Sequence, residues 1–217
     1  MTRTALLGGA TGLVGGHVLT QLLADDTWSH VVTVGRRAAS EQHPNLEQRI
    51  VDLGGLGAAD LPHVDDVFCC LGTTIKQAGS QAAFRKVDYD FVVALAQAGL
   101  RAGAAQFLLV SAIGADPRSR VFYSRVKGEA ESAVRALPYG AVQIFRPSLL
   151  LGTRAEFRLG ERIAMWVAPL MPLVLPGRLR RFRPIQARDV AASMIRIARE
   201  VPHGRNVFEF DAMVAPA

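Results

Sequence analysis

Thr4-Ala5-Leu6-Leu7-Gly8-Gly9-Ala10-Thr11-Gly12-Leu13-Val14-Gly15 is a short apolar run that breaks into glycines spaced three apart, Gly9, Gly12 and Gly15, and then enters a helix-length amphipathic stretch. Each glycine of such a triplet has a physical reason. One permits a tight turn, one lets the backbone approach a pyrophosphate, and one brings helix against strand. The helix that opens there aims its first N–H groups at an anion. A glycine triplet alone carries little weight, but a strand before it and a helix after it supply the required context.

Outward from this turn, apolar runs alternate with amphipathic segments. Strands are expected at Thr4 to Gly8, His30 to Gly35, Glu47 to Val51, Asp66 to Leu71, Gln106 to Ser111 and Ala141 to Phe145. Helices are expected at Gly12 to Ala24, Ser80 to Ala102, Val121 to Ala136, Glu156 to Val167 and Ala187 to Glu200. Alternating units of this kind predict an α/β fold, a doubly wound parallel sheet whose ligand crevice lies at the carboxyl ends of the strands. We read residues 1–217 as a single domain, with 149–185 forming a small C-terminal lobe or lid on the substrate side.

Half of the 217 residues are hydrophobic and 20% are charged, which excludes a disordered or fibrous chain. No run reaches 18 apolar residues and the N-terminus lacks a signal-peptide pattern, so an intracellular, cytoplasmic location is expected. Cys69 and Cys70 are adjacent, which disfavours an ordinary disulfide. Neither they nor the five scattered histidines have metal-ligand spacing, so no metal is assigned. The net charge of +6 is uneven: residues 1–110 carry 8 Lys+Arg against 10 Asp+Glu, and residues 111–217 carry 17 against 9. The excess is almost wholly Arg without interleaved aromatics, a poor pattern for nucleic-acid binding.

The residues after the second strand read Val34-Gly35-Arg36-Arg37. An acidic residue there would bind the ribose 2′-hydroxyl of NAD and repel a 2′-phosphate, whereas two guanidiniums suit that phosphate. NADP(H) is therefore preferred over NAD(H), which the same glycine turn also accommodates. Asp52-Leu53, after the third strand, falls where a carboxylate or backbone N–H reaches an adenine edge.

Ser111 closes the fifth strand, and Tyr123 and Lys127 follow four residues apart on one face of a helix. A hydride moved to or from a carbonyl carbon must be matched by a proton on its oxygen. A phenol, ordinarily near pKa 10, is a poor base at neutrality until an ammonium stabilises its anion. Lys127 is placed to do so for Tyr123, with Ser111 orienting the carbonyl.

These residues resemble an atypical, NAD(P)-binding short-chain dehydrogenase/reductase. Cys69-Cys70-Leu71-Gly72-Thr73-Thr74, Phe84 to Asp90, Val110 to Asp116 and Tyr123 to Glu129 are similar, more narrowly, to the Tat-interacting-protein-like oxidoreductase subgroup. The resemblance implies that Gly9, Thr11, Gly12, Leu13, Val14 and Gly15 hold the pyrophosphate, Arg36 and Arg37 the 2′-phosphate, and Asp52 and Leu53 the adenine. It gives Leu71, Gly72 and Thr73 to the nicotinamide-side ribose, and Arg146, Pro147 and Ser148 to the border of the nicotinamide. Ser111, Tyr123 and Lys127 become the catalytic set. One residue departs from the full catalytic tetrad: Val87-Asp88 stands where such reductases carry Asn on the helix before the fifth strand.

The last third holds 13 apolar residues, Ile163 to Leu175, broken by Pro169 and Pro172, followed by the basic run Arg178 to Arg183. The first is too short to span a bilayer and is expected as a lid over the site, or as a face for a membrane surface, a lipophilic substrate or a second copy. A monomer or homodimer fits either. Three functions follow: an NADP(H)-binding oxidoreductase acting on an unknown carbonyl or alcohol, a non-catalytic NADPH-binding regulatory or assembly protein, and an enzyme like the nucleotide-sugar epimerases and dehydratases. The last has only 72 residues after Phe145 for a sugar-nucleotide domain.

Overall fold

A computed structural model of the chain describes residues 2–58, 61–152 and 177–214. Seven parallel strands form the main sheet: β1 (Arg3–Gly8), β2 (Trp28–Gly35), β3 (Leu46–Ile50), β4 (Asp66–Cys69), β5 (Gln106–Val110), β6 (Ala141–Phe145) and, last in the chain, Gly204–Phe208. Two short strands, β7 (Leu150–Leu151) and β8 (Ile185–Gln186), pair with each other outside it, so the seventh main strand is β9. The main order is β3-β2-β1-β4-β5-β6-β9. The chain winds outward from β1 in one direction and from β4 in the other, which places the topological switch between them.

The sheet is covered on both faces because side chains alternate along each strand. Leu7 of β1 and Leu108 of β5 pack with α1 (Leu13–Leu23) and the helix Ala187–Glu200. Leu6 and Leu109, their neighbours in sequence, join the opposite core with the helices Phe91–Arg101 and Phe122–Arg135. With α2 (Ile75–Ala78) and α3 (Gln81–Arg85), these become α4 (91–101), α5 (122–135) and α6 (187–200), and α7 is Phe210–Val214. All six expected strands and four of the five expected helices are present within a few residues.

Three differences matter. The fourth strand stops at Cys69, so Cys70 and Leu71 turn out over the switch point instead of continuing the ladder. The expected helix at Ser80 to Ala102 is interrupted by a π turn at Lys86–Asp90, which inserts an extra residue and buries Asp88. The edge strand β9 was not anticipated; its half-exposed sequence, Gly-Arg-Asn-Val-Phe, is too polar to mark a buried strand. The expected helix Glu156 to Val167, the apolar run Ile163 to Leu175 and most of the 149–185 lid lie outside the described residues. No helix among the described residues is long and apolar enough to cross a membrane.

Candidate functional site

At the switch point the loops after β1 and β4 touch. Gly9 sits at φ +88°, and a Cβ there would lie 2.5 Å from the Cys70 carbonyl oxygen. Only glycine combines that conformation with that approach. A Cβ on Gly15 would lie 2.0 Å from the Gly9 carbonyl oxygen, so this glycine lets the first turn of α1 dock on the loop. Gly12 caps α1 with no side-chain hydrogen bond, and no acidic residue occupies the first turn. The positive end of the helix thus opens, uncapped, on the crevice.

That crevice is a cleft of about 1070 Å³. Gly9, Thr11, Gly12 and Leu13 form one wall; Arg36 and Arg37 stand at the end of β2; Asp52 and Leu53 follow β3; Cys70, Leu71, Gly72 and Thr73 line the loop after β4. Eleven of the residues expected at a dinucleotide are therefore brought to one surface. Val14 and Gly15 are not among them: both are buried, with Val14 packed into the core below. Arg36 and Arg37 are exposed and form no ion pair among the described residues. The Asp52 carboxylate accepts the Gly54 N–H at 3.2 Å.

The same cleft shows residues that the sequence reading passed over, including His17, Thr20, Gln77, Lys86 and Phe91. Lys86 sits 5.6 Å from the centre of the Phe91 ring. Its position on the π turn, which no helical periodicity reveals, is what brings it to the cleft. Cys70 contributes to the lining, while Cys69 is fully buried and desolvation pushes its thiol up to about 12. Neither thiol is suited to act as a thiolate near neutrality.

Ser111, Tyr123 and Lys127 are not among the residues that line the cleft. A Cβ on Gly72 would stand 3.5 Å from Asp88 Oδ1 and 3.6 Å from Lys127 Nζ, so the cleft-lining loop after β4 runs against the Asp88–Lys127 pair. Asp88 is fully buried; it ion-pairs with Lys127 at 2.8 Å and accepts the Thr73 N–H at 2.9 Å. Burial works against the Lys127 ammonium, but the Asp88 carboxylate, with Tyr123 adding to it, holds it above the usual lysine range. The residue that replaces the tetrad Asn is thus a direct partner of the lysine. Tyr123 is half-buried against Phe84, ring centres 5.4 Å apart, and its hydroxyl has no hydrogen-bond partner among the described residues.

Ser111 and Arg146 are joined by a residue not singled out from the sequence. Glu131, four residues beyond Lys127 on α5, accepts the Ser111 hydroxyl at 2.6 Å and takes Arg146 in a two-point pair, Nε at 2.9 Å and Nη2 at 2.5 Å. Pro147 is buried and Ser148 donates to the Arg183 carbonyl, so this tripeptide braces the ends of β6 and β8 and is absent from the cleft lining. Among the described residues no group of three His, Cys, Asp or Glu is arranged for a metal ion.

The glycine cradle, the uncapped helix and the cleft fit a dinucleotide, and comparison with known proteins agrees. Residues 9–142 match the model of a family described as NAD(P)H-binding. The chain is 36% identical over 167 residues to Protein HTATIP2 of Rattus norvegicus, covering 75% of this chain and 69% of that protein. It is 35% identical over 176 residues to "Protein fmp52, mitochondrial" of Emericella nidulans, covering 77% and 75%. Among solved structures, a human epimerase family protein, SDR39U1 with NADPH, superposes with a TM-score of 0.66 at 20% identity, over 95% of this chain and 74% of that one. The Bordetella bronchiseptica enzyme WbmH in complex with NAD+ gives 0.71 at 16% identity, over 96% and 76%. At such identities the structures speak for the fold alone.

Proposed function

Because this chain belongs to the NAD(P)H-binding family of atypical short-chain dehydrogenase/reductases, with HTATIP2 and Fmp52 as homologues, we propose that it is an NADP(H)-preferring oxidoreductase acting on a small carbonyl or alcohol. The observation that carries the coenzyme preference is the pair Arg36 and Arg37, exposed on the cleft at the end of β2 and forming no ion pair among the described residues, with Glu41 of the following loop also lining the cleft. In this reading the first turn of α1 and Gly9 to Leu13 take the pyrophosphate, the two guanidiniums the 2′-phosphate, Asp52 and Leu53 the adenine, and Leu71 to Thr73 the ribose near the reacting ring.

The coenzyme, when bound, supplies or accepts the hydride. The chain's own part is the proton. Tyr123 carries an unengaged phenol, and Lys127 stands on the same helix face with its charge fixed by Asp88. An ammonium already paired at 2.8 Å is turned partly away from other acceptors, so its work here is electrostatic, favouring negative charge on the phenol oxygen. Asp88 tempers that effect and links it to the Thr73 loop, which lines the cleft.

A second reading has specific support. Lys127 is tied to Asp88 and Ser111 to Glu131, so two of the three expected catalytic side chains already have protein partners. A non-catalytic NADPH-binding regulator would show the same internal satisfaction. Calorimetric titration with NADPH and NADH, followed by turnover against aldehydes, ketones and quinones, separates the readings. NADPH binding at least about tenfold tighter than NADH, with oxidation of bound NADPH by some member of the panel, is the expected result. Equal affinities would remove the 2′-phosphate assignment, and tight binding without turnover would favour the regulator.

A further inference from the structure

Lys86 lines the cleft without belonging to the residues that take the pyrophosphate, the 2′-phosphate, the base or the ribose. The π turn decides where its side chain goes. On an ordinary helix two residues five apart stand about 140° from each other around the axis. Here the Phe91 N–H donates to the Lys86 carbonyl five residues back, which brings the two side chains together, Lys86 Nζ lying 5.6 Å from the centre of the Phe91 ring. Phe91 is buried in the same core as Leu53 and Leu56, so the lysine rests on a fixed support. Lys86 itself is exposed and forms no ion pair among the described residues.

The ring also fixes which part of the cleft the ammonium faces. A Cβ on Gly54 would stand 3.7 Å from Phe91 Cε1, and 3.6 and 3.7 Å from the two Asp52 carboxylate oxygens, so ring and carboxylate flank one point. Asp52 follows Val51, whose N–H donates to the Gly35 carbonyl at 2.9 Å, and Arg36 follows Gly35. Lys86, Phe91, Asp52 and Arg36 are thus linked in that order at the β3 and β2 end of the cleft. Asp52 Oδ1 accepts the Gly54 N–H, which leaves Oδ2 to accept from a ligand.

Resting on the coenzyme reading of the cleft, we propose that Lys86 is a further coenzyme-binding residue, which reads the adenine base together with Asp52. The chemistry of the base calls for both groups. Adenine sets an exocyclic amine, a donor, beside a ring nitrogen that only accepts. A carboxylate takes the amine proton and has nothing to give the ring nitrogen, whereas an ammonium has three donors and no acceptor. Lys86 and Asp52 line one cleft, stand at the two ends of the Phe91–Gly54 contact and form no ion pair with each other, so both are open to a ligand. NADPH and NADH carry the same base. Lys86 therefore serves affinity for either coenzyme, and the choice between them rests with Arg36 and Arg37.

Lys86→Met keeps a stem over Phe91 and removes the charge. In calorimetric titrations of the intact protein it should weaken NADPH and NADH by the same factor, about tenfold, and Lys86→Arg should restore most of the loss. Because Lys86 is exposed, both variants should keep the native melting temperature. Adenosine, which carries the base without a phosphate, should lose about the same factor in Lys86→Met, read as a dissociation constant by ligand-observed NMR. A loss confined to NADPH would put the ammonium at the 2′-phosphate. A loss in both coenzymes with adenosine unchanged would put it at the pyrophosphate, and no loss would leave it outside the site; each of these overturns the assignment to the base. Native affinities come from the same titrations: a chain that binds neither coenzyme overturns the coenzyme reading and this inference with it, whereas one that binds both and is indifferent to Lys86→Met overturns this inference alone.

Discussion

The two ends of the one sheet are built to opposite rules. At the amino ends of β1, β2, β4 and β5, polar groups are largely closed on one another, Gln106 Oε1 being a buried acceptor left over. The Asp66 carboxylate, fully buried, accepts from Trp28 Nε1 at 2.8 Å, from Gln106 Nε2 at 3.0 Å and from the Arg3 guanidinium. Arg3 and Gln106 also donate to the Ala198 carbonyl, which satisfies the end of α6. At the carboxyl ends α1 opens without a side-chain cap and, among the described residues, Arg36 and Arg37 form no ion pair and the Tyr123 hydroxyl has no hydrogen-bond partner. Donors left open at one end of a fold whose other end leaves so few open mark where a ligand completes the structure.

The largest expected effect comes from breaking the closed end. Asp66→Ala leaves Arg3, Trp28 and Gln106 facing a void and should cost about 3–5 kcal/mol of stability, read as a urea midpoint, while folded protein keeps its NADPH affinity. The pH dependence has a definite sign. Desolvation by burial raises the Asp66 pKa above 3.8, and the bonds from Arg3, Trp28 and Gln106 only partly offset it. A group raised in the native state contributes most below its ordinary value and loses that contribution as pH climbs through the native one. Asp66→Asn should therefore lack a component of stability that declines, in the native protein, from about pH 4 upward. A variant declining identically would show that Asp66 does not titrate differently on folding.

At the open end the effects should fall on function. Tyr123→Phe keeps the ring against Phe84 but removes the phenol oxygen, so turnover of any accepted substrate should drop by about a hundredfold or more, on the order of 2.7 kcal/mol in barrier. Its melting temperature and NADPH titration should match the native protein. Unchanged turnover would take Tyr123 out of the mechanism. Arg36→Ala and Arg37→Ala come next: each should weaken NADPH by about tenfold and NADH by much less, with no loss of stability, because both are exposed and form no ion pair among the described residues. A loss shared equally by both coenzymes would mean that the arginines act as general counter-charge.

This contrast also explains what could be read from the chain. The glycine turn, the strands β1 to β6 and the helix face of Tyr123 and Lys127 were legible because a local constraint fixes each: Gly9 must adopt φ +88°, and residues four apart must share a face. Asp88 and Lys86 were harder, because a π turn shifts the register that a 3.6-residue period assumes. Glu131 was invisible as a partner of Ser111, since the two meet only when β5 and α5 are packed. Its place at i+4 from Lys127 was the available signal: a carboxylate continuing the face of a catalytic pair into the core needs a partner there. The Asp66 clamp was equally hidden, because its members stand at the starts of four separate strands.

The smallest effect returns to the closed end and tests whether it carries strain as well as bonds. Among the described residues Val201, at φ 45° and ψ 54° just after α6, is the one non-glycine with positive φ. A β-branched side chain in the left-handed region is disfavoured by about 1–2 kcal/mol, and helices usually end there on glycine. Yet the Val201 N–H is bonded to the Ile197 carbonyl, and Pro202 follows, giving its carbonyl to Gln143. The chain is thus held in place from both sides. Val201→Gly should relieve the side-chain clash while adding freedom to the unfolded chain, for a net gain of about 0.5–1 kcal/mol in a urea titration. A loss instead would mean that packing of the valine side chain outweighs its backbone cost, and that the closed end is tuned by contact as well as by hydrogen bonding.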